Sequence, residues 1–139
     1  MKKVLILCTG NSCRSQMADG WLKHFTSPDK VEVYSAGTHP EKVNPYAVKV
    51  MQRYGIDISE NKSNNLEEYK DIEFDFVITV CDSAKELCPV FACTNVIHKS
   101  FPDPAKVKGT DEELIEIYSD VRDNLKIFLK QFLEEYIIN

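Results

Sequence analysis

Cys8, Arg14 and the residues between them have the types and spacing of an anion-binding loop that carries a nucleophile. Arg14 and Ser15 follow Cys8 after five residues, in the form Cys-x5-Arg-Ser. A loop of this length can wrap backbone N–H groups around a tetrahedral oxyanion, and a following helix adds the positive end of its dipole. Arg14 supplies a fork of N–H donors for two oxygens. The predicted oxyanion-binding residues are Thr9, Gly10, Asn11, Ser12, Cys13, Arg14 and Ser15.

Cys8 is the candidate nucleophile of this loop, placed beneath the central atom of the anion. The helix dipole and Arg14 both favour the thiolate, so we expect the pKa of Cys8 to be lowered. Ser15 can donate a hydrogen bond to the sulfur, and Cys13 is assigned a structural role. A chance match would leave Cys8 as a buried strand residue and Arg14 as a surface charge. The strand–loop–helix context favours the chemical interpretation.

Cys81 and Cys88 form a second candidate pair, with six residues between them and Pro89 directly after. Their spacing differs from the Cys-x2–4-Cys pairs usual for zinc, and two unrelated core thiols remain an alternative. Residues 82–88 tolerate a helix that Pro89 ends, which would leave Cys88 exposed. Seven helical residues rise about 10 Å, whereas a disulfide holds Cα atoms roughly 4.4–6.8 Å apart. Oxidation of the pair would therefore require this segment to loop out.

The elements that position these residues alternate between strands and helices. Strands are predicted at residues 4–7, 31–35, 74–80 and 95–98, and helices from Arg14, from Pro45 to Gly55, at residues 66–69 and from Thr110 onward. This alternation predicts a single α/β domain over residues 1–139, with a four-stranded parallel sheet and helices on both faces. Ligands of such sheets bind beyond the carboxyl ends of the strands, where Cys8 and Cys81 are predicted to lie.

Two helices carry the clearest apolar faces. Met17, Trp21, Leu22 and Phe25 share one face of the first, and Val48, Met51 and Tyr54 are expected to point inward from the second. The C-terminal helix begins with a capping box at Thr110. Its predicted core stripe is Leu114, Ile117, Val121, Leu125, Phe128, Phe132 and Tyr136.

Composition excludes several classes of protein. The 139 residues carry a net charge of −5 and are 43% hydrophobic, which is typical of one globular domain and unlike a general nucleic-acid binder. No apolar run is long enough to span a membrane, and the N-terminal one is too short for a signal peptide. Five cysteines are an odd number for a disulfide scaffold, and Cys93 is interpreted as incidental. These features predict a cytoplasmic protein.

Residues 4–18 resemble the start of the low-molecular-weight tyrosine phosphatase fold, and more closely the thioredoxin-coupled arsenate reductases that share it. The resemblance extends through residues 34–37, Asn44-Pro45, residues 55–59, Val80-Cys81 with Cys88-Pro89, and residues 103–105. It implies reduction of arsenate to arsenite, with Cys8 as nucleophile and an intermediate Cys8–Cys81 disulfide. A redox-active Cys81–Cys88 disulfide would follow, to be reduced by thioredoxin.

The same resemblance assigns the remaining roles. Asp103, before Pro104, would be the general acid, although Asp-Pro more commonly begins a turn. The implied enzyme is a monomer without a bound cofactor, and phosphate and sulfate would compete with arsenate. Some members bind potassium near positions that match Asn11 and Asp19. Here Lys62 stands where a Thr would be and Asn64 where an acid would be, so our hypothesis is that the Lys62 ammonium replaces the cation.

Two other functions stay open from the sequence. A low-molecular-weight phosphatase acting on phosphotyrosine or a small phosphate ester would use the same loop. Such phosphatases tend to place an aromatic residue after Asp-Pro, where this chain has Ala105. A non-catalytic arsenite or zinc binder would instead use Cys8, Cys81 and Cys88 as converging ligands.

Overall fold

A computed structural model describes residues 1–8, 10, 12–81 and 93–137. Four strands, β1 (Lys2–Cys8), β2 (Val31–Gly37), β3 (Phe74–Thr79) and β4 (Cys93–His98), form one sheet in the order β2-β1-β3-β4. All three strand pairings are parallel. The predicted α/β fold with a four-stranded parallel sheet is thus confirmed.

The centre of the sheet is buried on both of its faces. Successive side chains of a strand point to opposite faces, and all four side chains of residues 4–7 in β1 are at most 1% exposed. Val77, Ile78 and Val80 in and after β3 are fully buried as well. The continuous apolar runs of the sequence therefore become strands covered on both sides, as the predicted layered arrangement requires.

Three α-helices accompany the sheet: α1 (Arg14–Phe25), α2 (Pro45–Gln52) and α3 (Asp111–Tyr136). Short 3₁₀ helices lie at Leu66–Tyr69 and Pro104–Lys106. Helices α1 and α3 pack against each other through Trp21, which is 1% exposed and donates its indole N–H to the Arg122 carbonyl at 3.0 Å. The indole N–H of this core residue is thus satisfied, as a buried polar group requires.

Side-chain caps begin the two later helices where the sequence predicts. Asn44 accepts hydrogen bonds from the backbone N–H groups of Tyr46 and Ala47, and Thr110 forms the predicted capping box. Helix α2 ends at Gln52, before the predicted Gly55, which takes a φ of +73° in the turn that follows. Tyr54 was expected to point inward, but it is 44% exposed because it lies in that turn.

The predicted core stripe of α3 is partly wrong. The helix has 26 residues, about 39 Å at 1.5 Å per residue, whereas a seven-residue strand spans about 23 Å. Tyr136, in the last turn of α3, is 43% exposed, although one side of its ring packs against Phe76 and Phe132. The buried residues of α3 are Tyr118, Val121, Arg122, Leu125, Leu129, Phe132 and Leu133.

Among the described residues, no helix has both the length and the apolar character that crossing a bilayer requires.

Candidate active site

Two thiols meet where the parallel strands β1 and β3 end side by side. Cys8 is the last residue of β1, and the Val80 N–H donates to the Leu7 carbonyl at 3.0 Å, which brings the residue after Val80 level with Cys8. Cys8 and Cys81 are each 3% exposed and share a side-chain hydrogen bond. In this sheet the strand order reverses at β1 and β3, which is the place where α/β sheets bind ligands.

The loop after Cys8 is held from outside by the segment that precedes α2. The Glu41 N–H donates to the Gly10 carbonyl at 2.8 Å, and the Asn44 N–H donates to the Ser12 carbonyl at 2.8 Å. The Asn44 side chain also donates to the Tyr118 hydroxyl on α3 at 3.0 Å. One asparagine therefore links the loop, the start of α2 and the long helix.

Arg14 is buried with its guanidinium only partly satisfied. Its Nη1 donates to the Phe101 carbonyl at 3.0 Å, and its Nη2 lies 3.5 Å from Asp103 Oδ2. Its buried Nε has no hydrogen-bond partner among the described residues. Because buried donors are nearly always paired in native proteins, this N–H indicates a site for an anionic ligand.

Helix α1 opens toward the same place. It begins at Arg14 with no side-chain cap from Cys13 and no acidic residue in its first turn. The unpaired N–H groups of a helix start and its dipole favour an anion there. The Ser15 backbone N–H donates a hydrogen bond to the Cys8 sulfur.

Asp103 begins a turn and also lines the cavity. It begins the 3₁₀ helix Pro104–Lys106, and its carboxylate accepts a hydrogen bond from the Ala105 N–H at 3.0 Å. The same side chain pairs with Arg14 and is 24% exposed. Asp103 is thus a turn residue whose carboxylate also faces the cavity.

These groups line one cavity of about 610 Å³. It brings together the predicted Cys8, Gly10, Ser12, Cys13, Arg14, Cys81 and Asp103, and adds Glu41, Ser100, Ala105 and Lys106. No lining residue among those described is aromatic. Sequence reasoning missed Glu41, Ser100 and Lys106 because they lie on loops whose approach to the site no local pattern encodes. Thr9, Asn11 and Cys88, with the predicted helix over residues 82–88, lie outside the described residues.

The expected lowering of the Cys8 pKa is wrong for this arrangement. The hydrogen bond with Cys81 and burial raise the pKa of Cys8 above its ordinary value, while the Arg14 charge and the Ser15 N–H lower it. The two groups that lower the Cys8 pKa lie close to Cys8 in the sequence, whereas the Cys81 thiol comes next to Cys8 only in the fold. The hydrogen bond with Cys81 and the burial of the sulfur therefore favour the thiol form of Cys8 over the thiolate.

Cys13 also stays protonated, which agrees with its structural assignment. Burial and the negative charge of Asp103 raise the pKa of Cys13 to about 12, against the opposing charge of Arg14. Its thiol is thus a poor nucleophile near neutral pH, even though it lines the cavity.

Asp19, at a position that matches a potassium ligand of the family, is paired with the ammonium of Lys23. Asp19 is 3% exposed, and its Oδ2 lies 3.2 Å from the Lys23 Nζ and accepts a hydrogen bond from Asn61 at 3.2 Å. Burial raises the pKa of Asp19, while Lys23 and Asn61 lower it. The Lys62 side chain is exposed and lines the same small cavity as Asp19 and Lys23, and the replacement of a cation by its ammonium stays a prediction. Lys23 lies one helical turn after Asp19, which lets its ammonium reach the carboxylate.

A cation does not fit the described part of this region. The Lys62 carbonyl already accepts hydrogen bonds from Gln16 and Asn64, both at 3.1 Å. Gln16 Oε1 accepts one from Asn61 at 3.0 Å. Oxygen ligands are thus engaged, and the Lys23 ammonium would repel a cation. Elsewhere in the described residues, no group of three or more His, Cys, Asp or Glu side chains is arranged to hold a metal ion.

Comparisons with known proteins agree with the fold. The low molecular weight phosphotyrosine protein phosphatase family matches residues 3–137. An arsenate reductase of Halalkalibacterium halodurans is 45% identical over 134 residues, covering 96% of both chains. A solved arsenate reductase in its oxidized state has a TM-score of 0.81 at 31% identity, covering 97% of this chain and 98% of the other. A low molecular weight protein tyrosine phosphatase from T. tengcongensis has a TM-score of 0.78 at 25% identity, covering 97% and 99%. The chain therefore belongs to the low molecular weight phosphotyrosine protein phosphatase family and is similar over nearly its whole length to the arsenate reductases within it.

Proposed function

We propose that this protein is an arsenate reductase that converts arsenate to arsenite through successive thiols. The observation that carries the proposal is the direct contact between Cys8 and Cys81 at the base of the oxyanion cavity. Hydrolysis of a phosphate ester needs one nucleophilic sulfur, whereas reduction needs a second sulfur within reach of the first. The arsenate reductases at 45% and 46% identity support the same conclusion.

The reaction begins with the oxyanion on the loop and Arg14. An oxygen of the bound anion accepts the proton of the Cys8 thiol, and the resulting Cys8 thiolate attacks arsenic. Asp103 donates a proton to the leaving oxygen, which departs as water and leaves a sulfur–arsenic(V) bond.

The second thiol then completes the two-electron transfer. Cys81 attacks the Cys8 sulfur, the sulfur–arsenic bond breaks with its electron pair on arsenic, and arsenite leaves as the Cys8–Cys81 disulfide forms. The contact between these two sulfurs supports this step, since little movement is needed to join them. Cys88 attacks Cys81 next, which frees Cys8 and forms the Cys81–Cys88 disulfide.

Thioredoxin is the proposed external reductant of that last disulfide. We further propose a cytoplasmic monomer, because a reducing compartment keeps the three thiols available between turnovers. No bound cofactor is required, since the protein's own sulfurs carry both electrons and the Lys23 ammonium neutralises Asp19 in place of potassium.

The decisive experiment follows arsenate-dependent NADPH consumption with thioredoxin and thioredoxin reductase. It should be lost in Cys8→Ser, Cys81→Ser and Cys88→Ser, and retained in a Cys93→Ser control. Turnover of the Cys88→Ser variant at the parent rate would contradict the relay. Peptide mapping after turnover should identify Cys81 and Cys88 in one disulfide.

A phosphatase activity is the second candidate, favoured by the shared cradle for a tetrahedral anion. Among the described residues, none that lines the cavity is aromatic and could pack against a tyrosyl ring, and Ala105 lines the cavity after Asp103-Pro104. We therefore expect only weak hydrolysis of p-nitrophenyl phosphate, which should survive Cys88→Ser and be abolished by Cys8→Ser.

A further inference from the structure

We propose that Glu41 makes the cavity selective for oxyanions that still carry an O–H group. This inference deepens the proposed arsenate reduction and rests on it for the identity of the natural ligand. Glu41 belongs to none of the groups that the sequence singled out, and it lies on the segment between β2 and α2.

The backbone and the side chain of Glu41 both engage the oxyanion loop. Its N–H donates to the Gly10 carbonyl at 2.8 Å, which fixes the residue at the rim of the loop. Its side chain turns back over the loop: Cδ and Oε2 lie 3.7 Å from the point that a Cβ on Gly10 would occupy. Glu41 thereby lines the same cavity as Cys8 and Arg14.

The charges of the cavity leave the Glu41 carboxylate available to a ligand. The other carboxylate, that of Asp103, is paired with Arg14. Among the described residues, the Glu41 side chain has no ion pair and no hydrogen bond. A bare carboxylate beside an anion site repels a fully deprotonated anion. It becomes favourable only when the ligand presents an O–H that the carboxylate can accept.

The chemistry of the competing anions then decides which of them fit. Near neutral pH, arsenate and inorganic phosphate keep an O–H, and sulfate has none. In a phosphate monoester, an O–R group replaces the O–H that would point out of the cavity. With the other oxygens held by the loop and Arg14, the protonated oxygen faces the rim that holds Glu41. The contact with Glu41 therefore favours arsenate and inorganic phosphate over sulfate and over the dianions of phosphate monoesters.

The test is the affinity of the reduced full-length protein for inorganic phosphate and for sulfate. Both are measured by calorimetry at one pH near neutrality and at equal ionic strength. The unmodified protein should bind phosphate more tightly. Glu41→Gln keeps the size of the side chain, and it should reduce the ratio of phosphate to sulfate affinity about tenfold, the equivalent of about 1.4 kcal/mol.

Glu73→Gln is the matched control for net charge. Glu73 is exposed and directly precedes β3, at the amino end of the sheet and away from the cavity. The Glu73→Gln variant should leave the ratio of phosphate to sulfate affinity unchanged, and thermal unfolding should show that both variants fold. A ratio that changes less than twofold in Glu41→Gln, an equal change in Glu73→Gln, or no preference for phosphate in the unmodified protein would each overturn the inference.

These outcomes are separable from those of the proposed function, because binding is measured without turnover. Loss of arsenate reduction in the coupled assay, together with a phosphate preference that depends on Glu41, would remove the proposed function and leave the selectivity intact. In the reverse case, reduction would stand and Glu41 would have no part in ligand choice.

Discussion

Replacing Lys23 with alanine tests whether this lysine acts as a built-in cation for a buried carboxylate. The Asp19 side chain is 4% exposed, and its Oδ2 lies 3.2 Å from the Lys23 Nζ. Removing one partner of a fully buried ion pair costs about 3–5 kcal/mol, and exposed pairs contribute roughly 0.2–1 kcal/mol. Lys23 is 57% exposed, and Asn61 still donates to Asp19 in the variant. We therefore expect the free energy of unfolding to fall by about 1–2 kcal/mol, closer to the value for exposed pairs than to the value for buried ones.

The pH dependence of this loss distinguishes an ion pair from lost packing. Burial raises the pKa of Asp19 in the folded state. A carboxyl group whose pKa is higher in the folded than in the unfolded protein makes the fold less stable as pH rises above the unfolded-state pKa of about 3.9. Lys23 limits that effect by lowering the pKa. The variant should therefore be most destabilised near neutral pH. As pH falls below about 3.9, Asp19 is protonated with or without Lys23, and the two proteins should converge.

The measurement is urea unfolding at several pH values, with Lys70→Ala as the control. Lys70 pairs with Glu67 at 3.9 Å, and both side chains are more than half exposed, so that variant should lose no more than about 0.5 kcal/mol. Unfolding of the parent protein should be equal in potassium chloride and choline chloride. The reasoning fails if Lys23→Ala loses no more stability than Lys70→Ala, or if its loss persists unchanged at acidic pH.

Three further perturbations follow from the site and the core. Arg14→Lys keeps the positive charge but removes the forked guanidinium donor, so we expect phosphate binding measured by calorimetry to weaken by about 2–4 kcal/mol, the contribution of roughly two charge-assisted hydrogen bonds. The control is Arg53→Lys at an exposed position. A phosphate affinity of Arg14→Lys within threefold of the parent would contradict this expectation. Cys81→Ala removes the largest cause that raises the Cys8 pKa, so alkylation of Cys8 should shift to lower pH, and an unshifted profile would count against the hydrogen bond with Cys81 as that cause. Leu125→Ala, at a fully buried position in α3, should lower the free energy of unfolding by about 2–5 kcal/mol in urea titrations, and a loss under 1 kcal/mol would mean that the site collapses around the smaller side chain.

Local patterns in the sequence were enough to predict the architecture. Continuous apolar runs predicted strands buried on both faces, and the caps at Asn44 and Thr110 predicted where helices begin. These signals are read within a few residues of where they act, so no knowledge of the fold is needed. The Cys-x5-Arg spacing likewise placed Cys8 and Arg14 on one loop.

Contacts between distant segments depended on the tertiary structure alone. Adjacent strand ends place the Cys81 thiol against Cys8, which reverses the expected direction of the Cys8 pKa. Glu41 reaches the loop only because the segment before α2 crosses it. Asn61 donates to Asp19 only because the loop after α2 runs past α1. The sequence therefore determined which residues are chemically able to act, while the fold decided which charges and thiols come together, because electrostatic interactions depend on distances that a linear spacing does not contain.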